Sequence, residues 1–211
     1  PNSSGAPAPY ESRDAYAEAS GRAVVELLKS GIRPRDIVTR KSLENAAAVV
    51  AATGGSTNGA LHLPAIAHEA GIDFDLHEVA EIFKKTPYIA NLKPGGKYVA
   101  KDLYEVGGVS VVIKELLDAG YLHGDCMTVT GKTLAENVAN IQFPEDQDVV
   151  YRVSKPITPT GGVVGLRGNL APEGAIVKVA GMQELQFTGP ARCFDCEEDA
   201  LTAVLKNEIV A

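Results

Sequence analysis

Residues 43–59 read Leu43-Glu44-Asn45-Ala46-Ala47-Ala48-Val49-Val50-Ala51-Ala52-Thr53-Gly54-Gly55-Ser56-Thr57-Asn58-Gly59. The stretch from Leu43 to Ala52 is apolar and alanine-rich, which suits a buried helix. Thr53-Gly54-Gly55 stops it. Ser56 or Thr57 then caps a second helix, expected to run to about Ala70 and to close at Gly71. Pro64 lies inside that second helix, where it removes one ladder bond and is expected to bend it. Two helices joined by a tight glycine turn thus set the character of this part of the chain.

Working outward, residues 1–10 form a proline-rich loop. From Glu11, Ala15, Ala19, Ala23, Val24, Leu27 and Leu28 recur at helical spacing, with Gly31 placed as a C-terminal cap. Arg33-Pro34-Arg35-Asp36 reads as a turn. Asp75-Leu76-His77-Glu78 is a capping box opening a short helix to Lys85. A loop at Pro94-Gly95-Gly96 precedes helices over Lys101–Val106 and Val109–Ala119, and another is expected at Thr133–Val138. Near Phe143-Pro144-Glu145-Asp146 the pattern turns to strands: Val149–Val153, Val163–Arg167, Ala175–Val179 and Gln186–Phe187. Breaks fall at Pro159-Thr160-Gly161-Gly162 and at Ala171-Pro172-Glu173-Gly174. A last helix covers Glu197–Lys206, with Asp195 as its candidate cap. The fold class expected is α/β plus β. Residues 1–145 are the helical portion of an α/β domain, and residues 146–211 begin a β-barrel-like domain with too few strands here to close it.

The chain has 211 residues, enough for a core without disulfide or metal staples. Its net charge of −7 argues against a nucleic-acid partner, which needs a basic stripe. No apolar run approaches a membrane span, so no membrane partner is expected. Pro1-Asn2-Ser3-Ser4-Gly5 has neither the basic end nor the apolar stretch of a signal peptide, and no initiating Met precedes it. A piece of a longer protein is therefore expected. Three cysteines suit a reducing compartment better than a disulfide framework, which points to the cytoplasm, or to an organelle in a eukaryotic source.

Four patterns bear on chemistry. Cys193-Phe194-Asp195-Cys196 is a C-x-x-C, and with Cys126 it offers three thiols. No second C-x-x-C or H-x-x-x-H completes a zinc set, and the reading preferred is structural, with Cys193 in a sheet core and Cys196 on the first helical turn. His123-Gly124-Asp125-Cys126 gathers a base, a carboxylate and a thiol, yet neighbours this close rarely face one site. Gly131-Lys132-Thr133 resembles the end of a P-loop, but Cys126 stands where the loop needs glycine. His62 and His68 are six apart, not at the spacing that chelates on a helix face. The segment closest to a ligand site is Gly54, Gly55, Ser56, Thr57 and Asn58. Its glycines let backbone approach a ligand, and its short polar side chains sit at a helix start, where amides and dipole favour an anion such as a carboxylate. The competing reading is a helix joint with a good cap.

Thr53-Gly54-Gly55-Ser56-Thr57-Asn58, Leu61-His62-Leu63 and Ala65-Ile66-Ala67-His68-Glu69-Ala70-Gly71 resemble the central part of the dihydroxy-acid dehydratase family. So do Leu92-Lys93-Pro94-Gly95-Gly96-Lys97-Tyr98, Lys114–Gly120, Leu122–Cys126 and Thr128–Asn137. Pro159–Gly162, Leu166–Gly174 and Gly189–Arg192 continue the likeness in collinear order. The stretch His123–Asn137 is the most specific part, and it favours the branched-chain amino-acid enzyme over the sugar-acid and 6-phosphogluconate dehydratases of the same wider family. Pro64 and Thr158 depart from the usual family residues.

The resemblance implies a hydro-lyase that converts a 2,3-dihydroxy-3-methyl acid into a 2-oxo acid on the route to valine and isoleucine. It implies an iron–sulfur cluster, [2Fe–2S] or [4Fe–4S], acting as Lewis acid on the 3-hydroxyl. It also implies Mg2+ holding the carboxylate and 2-hydroxyl, a serine alkoxide as base, and a homodimer. The family's cluster cysteines, magnesium ligands and serine fall outside residues 1–211. No catalytic, cofactor or metal ligand is therefore expected in this chain, and Cys126, Cys193 and Cys196 match none of the cluster motifs. A sugar-acid or 6-phosphogluconate dehydratase is the alternative, and a non-catalytic binding or regulatory domain is the alternative of another class.

Overall fold

A computed structural model describes residues 5–182, 184–186 and 188–209. The chain divides into two compact units, 1–181 and 182–211. The first contains helices α1 (Ser12–Lys29), α2 (Pro34–Ile37), α3 (Arg40–Ala52), α4 (Thr57–Ala70), α5 (Leu76–Lys85), α6 (Ala100–Glu105), α7 (Val109–Asp118) and α8 (Leu134–Val138). Strands β1 (Val163–Gly168) and β2 (Ala171–Lys178) follow. The second unit holds α9 (Glu197–Leu205). Helices followed by a small antiparallel sheet is the order expected from the residue pattern.

Helix α3 is the axis of the first unit. Leu43, Ala47 and Ala51, four residues apart, face a core with Ala60, Leu63 and Ala67 of α4, Phe74, Val79 and Phe83 of α5, and Val163. Ala48 and Ala52 face a second core, built with Ile89, Ala90, Leu103, Val111, Val112, Leu116, Leu122, Val149 and Val150. Small alanines on both faces let neighbours approach closely from two sides, which is why this stretch reads as buried throughout. Helix α1 differs: none of its residues is buried, and Val24 and Leu28 are exposed.

The helix ends follow their caps. Thr39 accepts from the Ser42 amide, Ser56 from Asn58, Asp75 from His77 and Glu78, and Thr133 from Glu136. Helix α4 runs through Pro64 and closes on Gly71 in the left-handed conformation. Cys196, rather than Asp195, is the cap residue of α9.

The strands depart further from expectation. Val149–Val153 is not a strand. It is extended chain joined to its neighbour by an isolated bridge, Ala90 to Val150, with the Tyr151 amide on the Ile89 carbonyl (2.8 Å). A turn at Arg152–Lys155 carries the chain away from this pairing, and Ile157 and Thr158 then take the backbone bonds to Tyr88, so two isolated bridges form in place of a continuous ladder. β2 begins at Ala171 and so includes the segment expected as a break. Its register runs from Val163–Lys178 to Leu166–Ala175, then slips before Gly168–Ala171. Pro172 lies in that bulge, where no ladder amide is required of it. Gln186 is in no strand, and Phe187 lies outside the described residues.

Candidate functional site

The Thr53–Asn58 turn is first a helix terminator. Gly54 (φ 90°) and Gly55 (φ 75°) are both left-handed. The Gly55 amide donates to the Val50 carbonyl (2.9 Å) and the Gly54 amide to Ala51 (3.2 Å), the paired bonds that close an α-helix. These amides are therefore spent on α3, so any amides offered to an anion are those at the start of α4. Thr53 Oγ1 also turns back, donating to the Val49 carbonyl at 2.9 Å.

The start of α4 remains open. Ser56 Oγ accepts from the Asn58 amide (3.2 Å), and the Gly59 amide donates to the Ser56 carbonyl (3.0 Å). No partner is found for the Thr57 amide among the described residues. The side chains of Thr57 and Asn58 are exposed. Of the five candidates, Gly54, Gly55 and Ser56 thus shape the turn, while Thr57 and Asn58 present polar groups outward.

Other glycine segments converge on the same turn. A β-carbon on Gly162 would lie 2.4 Å from the Gly54 carbonyl oxygen, and one on Gly161 would lie 2.7 Å from Ala51 Cβ. The Gly161 amide donates to the Phe83 carbonyl at the end of α5 (2.9 Å), and the Gly162 carbonyl accepts from Val179 and Ala180 (2.9 and 3.0 Å). Ala180 in turn sits where a side chain on Gly95 would have to go. The Gly54 and Gly162 stretches, far apart in sequence, thus pack backbone against backbone, and Ala180 links them to the Gly95 stretch.

Tyr88 completes this neighbourhood. It is 2% exposed, and its ring stands over Gly54, whose missing β-carbon would be 3.1 Å from Cε2. Its hydroxyl is buried with no hydrogen-bond partner among the described residues, and burial pushes its pKa above the ordinary tyrosine value. Residue-by-residue reading missed Tyr88. The only available signal was the recurrence of Gly-Gly pairs, each marking a place where another chain segment comes close.

The His123–Cys126 cluster is a clamp onto α3. Buried Asn45 accepts from the His123 amide (2.7 Å) and donates to the His123 carbonyl (2.9 Å) and to Cys126 Sγ (3.5 Å). His123 Nε2 meets Glu44 at 2.7 Å, and Asp125 pairs with Lys41 at 2.6 Å. Burial raises the Cys126 pKa. Thr133 caps α8, so Gly131-Lys132-Thr133 serves a helix start and not a phosphate. His62 and His68 are exposed on α4. His62 lines an apolar groove of about 750 Å3 with Pro34, Val38, Ile66 and Ala70, which shares no residue with the Gly54–Asn58 turn.

Cys193 is exposed, not in a sheet core, because no strand forms among the described residues of its unit. Cys196 is exposed as well. No group of three or more His, Cys, Asp or Glu side chains that could hold a metal ion occurs among the described residues.

Residues 1–137 match the family profile described as dihydroxy-acid/6-phosphogluconate dehydratase N-terminal, and residues 148–211 match the corresponding C-terminal profile. Over 210 residues the chain is 73% identical to a dihydroxy-acid dehydratase of Parvibaculum lavamentivorans, covering 99% of the chain and 36% of that relative. A dihydroxy-acid dehydratase of Pelagibacter ubique is 64% identical over 211 residues, covering 100% of the chain and 37% of the relative. One from Acidothermus cellulolyticus is 55% identical over 205 residues, covering 97% and 37%. The chain spans little more than a third of the length of these curated relatives.

Proposed function

Since the chain belongs to the dihydroxy-acid/6-phosphogluconate dehydratase family, we propose that it is a segment of a hydro-lyase acting on 2,3-dihydroxy-3-methyl acids in the synthesis of valine and isoleucine. The observation that carries this is 73% identity, over nearly the whole chain, to a protein named dihydroxy-acid dehydratase. The overall reaction removes the C2 proton and the 3-hydroxyl as water, and the resulting enol tautomerises to a 2-oxo acid.

The role proposed for this segment is to position substrate. The Gly54–Asn58 turn faces the active-site cleft of the complete enzyme. Gly54, Gly55 and Ser56 set its shape, and Thr57 and Asn58 reach the substrate carboxylate, helped by the Thr57 amide, which has no partner among the described residues, and by the N-terminal end of α4. A domain division at 145/146 belongs to the same proposal, since it falls between the two matched segments.

An iron–sulfur cluster and Mg2+ supply Lewis acidity in the proposed complete enzyme. The residues described here do not fit either group: Cys126 is buried and engaged by Asn45, and no three metal-binding side chains converge. Their ligands are proposed to lie in the remainder of the protein, and no chemical step is assigned to residues 1–211. A homodimer and a cytoplasmic or organellar location complete the proposal. No helix among the described residues is long and apolar enough to cross a membrane.

The test is turnover by the complete protein. Dehydration of 2,3-dihydroxyisovalerate is expected, with little activity on gluconate or arabinonate. The reverse pattern would establish a sugar-acid enzyme of the same family. No turnover of any of these acids by the complete, cofactor-loaded protein would favour a binding or regulatory role.

A further inference from the structure

We propose that Cys193 and Cys196 form a dithiol–disulfide pair that reacts with small cationic disulfides, a covalent redox site separate from the dehydratase reading. Both thiols are free and exposed, and two residues separate them. Residues 188–194 have no regular structure, so no helix or strand hydrogen bonds hold the first thiol away from the second. Cys196 caps α9 with extended backbone (φ −146°, ψ 162°), yet its side chain makes no capping hydrogen bond, so this thiol is uncommitted. Cys126 provides the contrast within the same chain: it is buried, and Asn45 donates to its sulfur.

The surrounding charge selects the oxidant. Asp195, Glu197, Glu198 and Asp199 flank the pair. The nearby cation, Arg192, is engaged with Glu208 (3.3 Å) and lies over the Phe194 ring (4.9 Å). An acidic collar repels anionic disulfides and attracts cationic ones. It does not make a metal site, since no three ligating side chains converge among the described residues.

In the reaction, one cysteine thiolate attacks a sulfur of cystamine. The cystamine S–S bond breaks, and one cysteamine leaves as thiolate and takes up a proton. The other cysteine thiolate then attacks the protein-side sulfur of the mixed disulfide. The Cys193–Cys196 bond forms, and the second cysteamine leaves and is protonated. The protein dithiol loses two electrons and two protons, and cystamine gains both.

The experiment treats the complete protein with cystamine or glutathione disulfide and follows the masses of the peptides that carry Cys126 and Cys193–Cys196. The parent is expected to lose two hydrogens and keep no cysteamine, with Cys126 unmodified. Cys193→Ser and Cys196→Ser should each retain one cysteamine as a lasting adduct. Cystamine should react ~10-fold faster than glutathione disulfide at low ionic strength, with the gap closing as salt is added. Stable adducts on both cysteines of the parent, no reaction at either, equal reaction of Cys126, or equal rates with the two oxidants would each overturn the proposal.

Discussion

Gly55 and Val163 are packed so closely that a β-carbon on Gly55 would stand 2.0 Å from Val163 Cγ2. Val163 opens β1 and is itself 1% exposed, so it cannot move aside into solvent. Gly55 therefore joins the end of α3 to the start of the sheet, besides permitting the left-handed turn.

Gly55→Ala carries both penalties, left-handed strain and overpacking, and should destabilise the chain by about 2–5 kcal/mol. Gly31 is the control. It is also left-handed (φ 68°), but open space surrounds it. Gly31→Ala should therefore cost only about 1–2 kcal/mol. Urea unfolding of both variants decides it, and equal losses would show that the Val163 contact costs nothing.

Asn45 holds the His123 loop to α3 through both its oxygen and its nitrogen, from a site only 7% exposed. Removing it leaves the part-buried amide and carbonyl of His123 without these partners, so Asn45→Ala should cost about 1–3 kcal/mol. Lys41 contacts the same loop through Asp125, but both side chains are more than half exposed. Lys41→Ala should change stability by about 0.5 kcal/mol or less. If the lysine variant proved the weaker of the two, the clamp would be ionic instead.

How much of this was legible in the residues depends on how local the cause was. Ser56, Asp75 and Thr133 act on amides two or three residues away, so their helix starts could be read directly. Val149–Val153 has strand composition, but a ladder needs a partner in register, and the turn at Arg152–Lys155 leaves Tyr88 to pair with Thr158 instead. Cys193 looked like a core residue only because a strand was expected around it. Gly54 and Gly55 were recognised as a turn, while the use of their amides to close α3 followed from where α3 ended. Tyr88 was invisible because its burial depends on Gly54, thirty-four positions earlier.

Asp36 should titrate at about 2. Side-chain and backbone hydrogen bonds from Arg33 hold the carboxylate in its charged form, well below the usual aspartate range. The folded value lies below the unfolded one, so the contact is complete above about pH 4 and is lost as pH falls toward 2. Both partners are exposed, so the effect is local to the start of α2. An NMR titration of the carboxyl carbon checks it, and Arg33→Gln should return the midpoint toward ~3.9. An ordinary midpoint in the parent chain would remove the case for the clamp.

The three cysteines should not assemble a cluster. Cys126 is buried against Asn45, and Cys193 and Cys196 supply two thiolates, fewer than the three protein ligands that even a [4Fe–4S] cluster with one open iron takes. Anaerobic reconstitution of the 211-residue chain with iron and sulfide should give no stoichiometric charge-transfer band. A band abolished by Cys193→Ser or Cys196→Ser would prove the opposite.

The start of α4 offers the sharpest separation of scaffold from contact. Ser56 caps the helix with its own oxygen, so Ser56→Ala should lower stability by about 1 kcal/mol whether or not substrate ever reaches the turn. Thr57 and Asn58 are different, because their side chains are exposed and cap nothing. Thr57→Val keeps the shape and removes the hydroxyl, while Asn58→Ala removes the amide. In the complete enzyme both should melt within ~0.5 kcal/mol of the parent, as surface substitutions do. If the carboxylate of a dihydroxy acid sits against this helix start, each loses a polar contact to a charged group. That is worth about 1.5–3 kcal/mol, so kcat/KM should fall roughly 10- to 150-fold. The division between the constants carries further information. A contact made equally in the ground and transition states raises KM alone, and one that tightens as the C2 proton leaves lowers kcat. Parent-like kcat and KM in both variants, beside a destabilised Ser56→Ala, would reduce the whole Gly54–Asn58 turn to a helix joint.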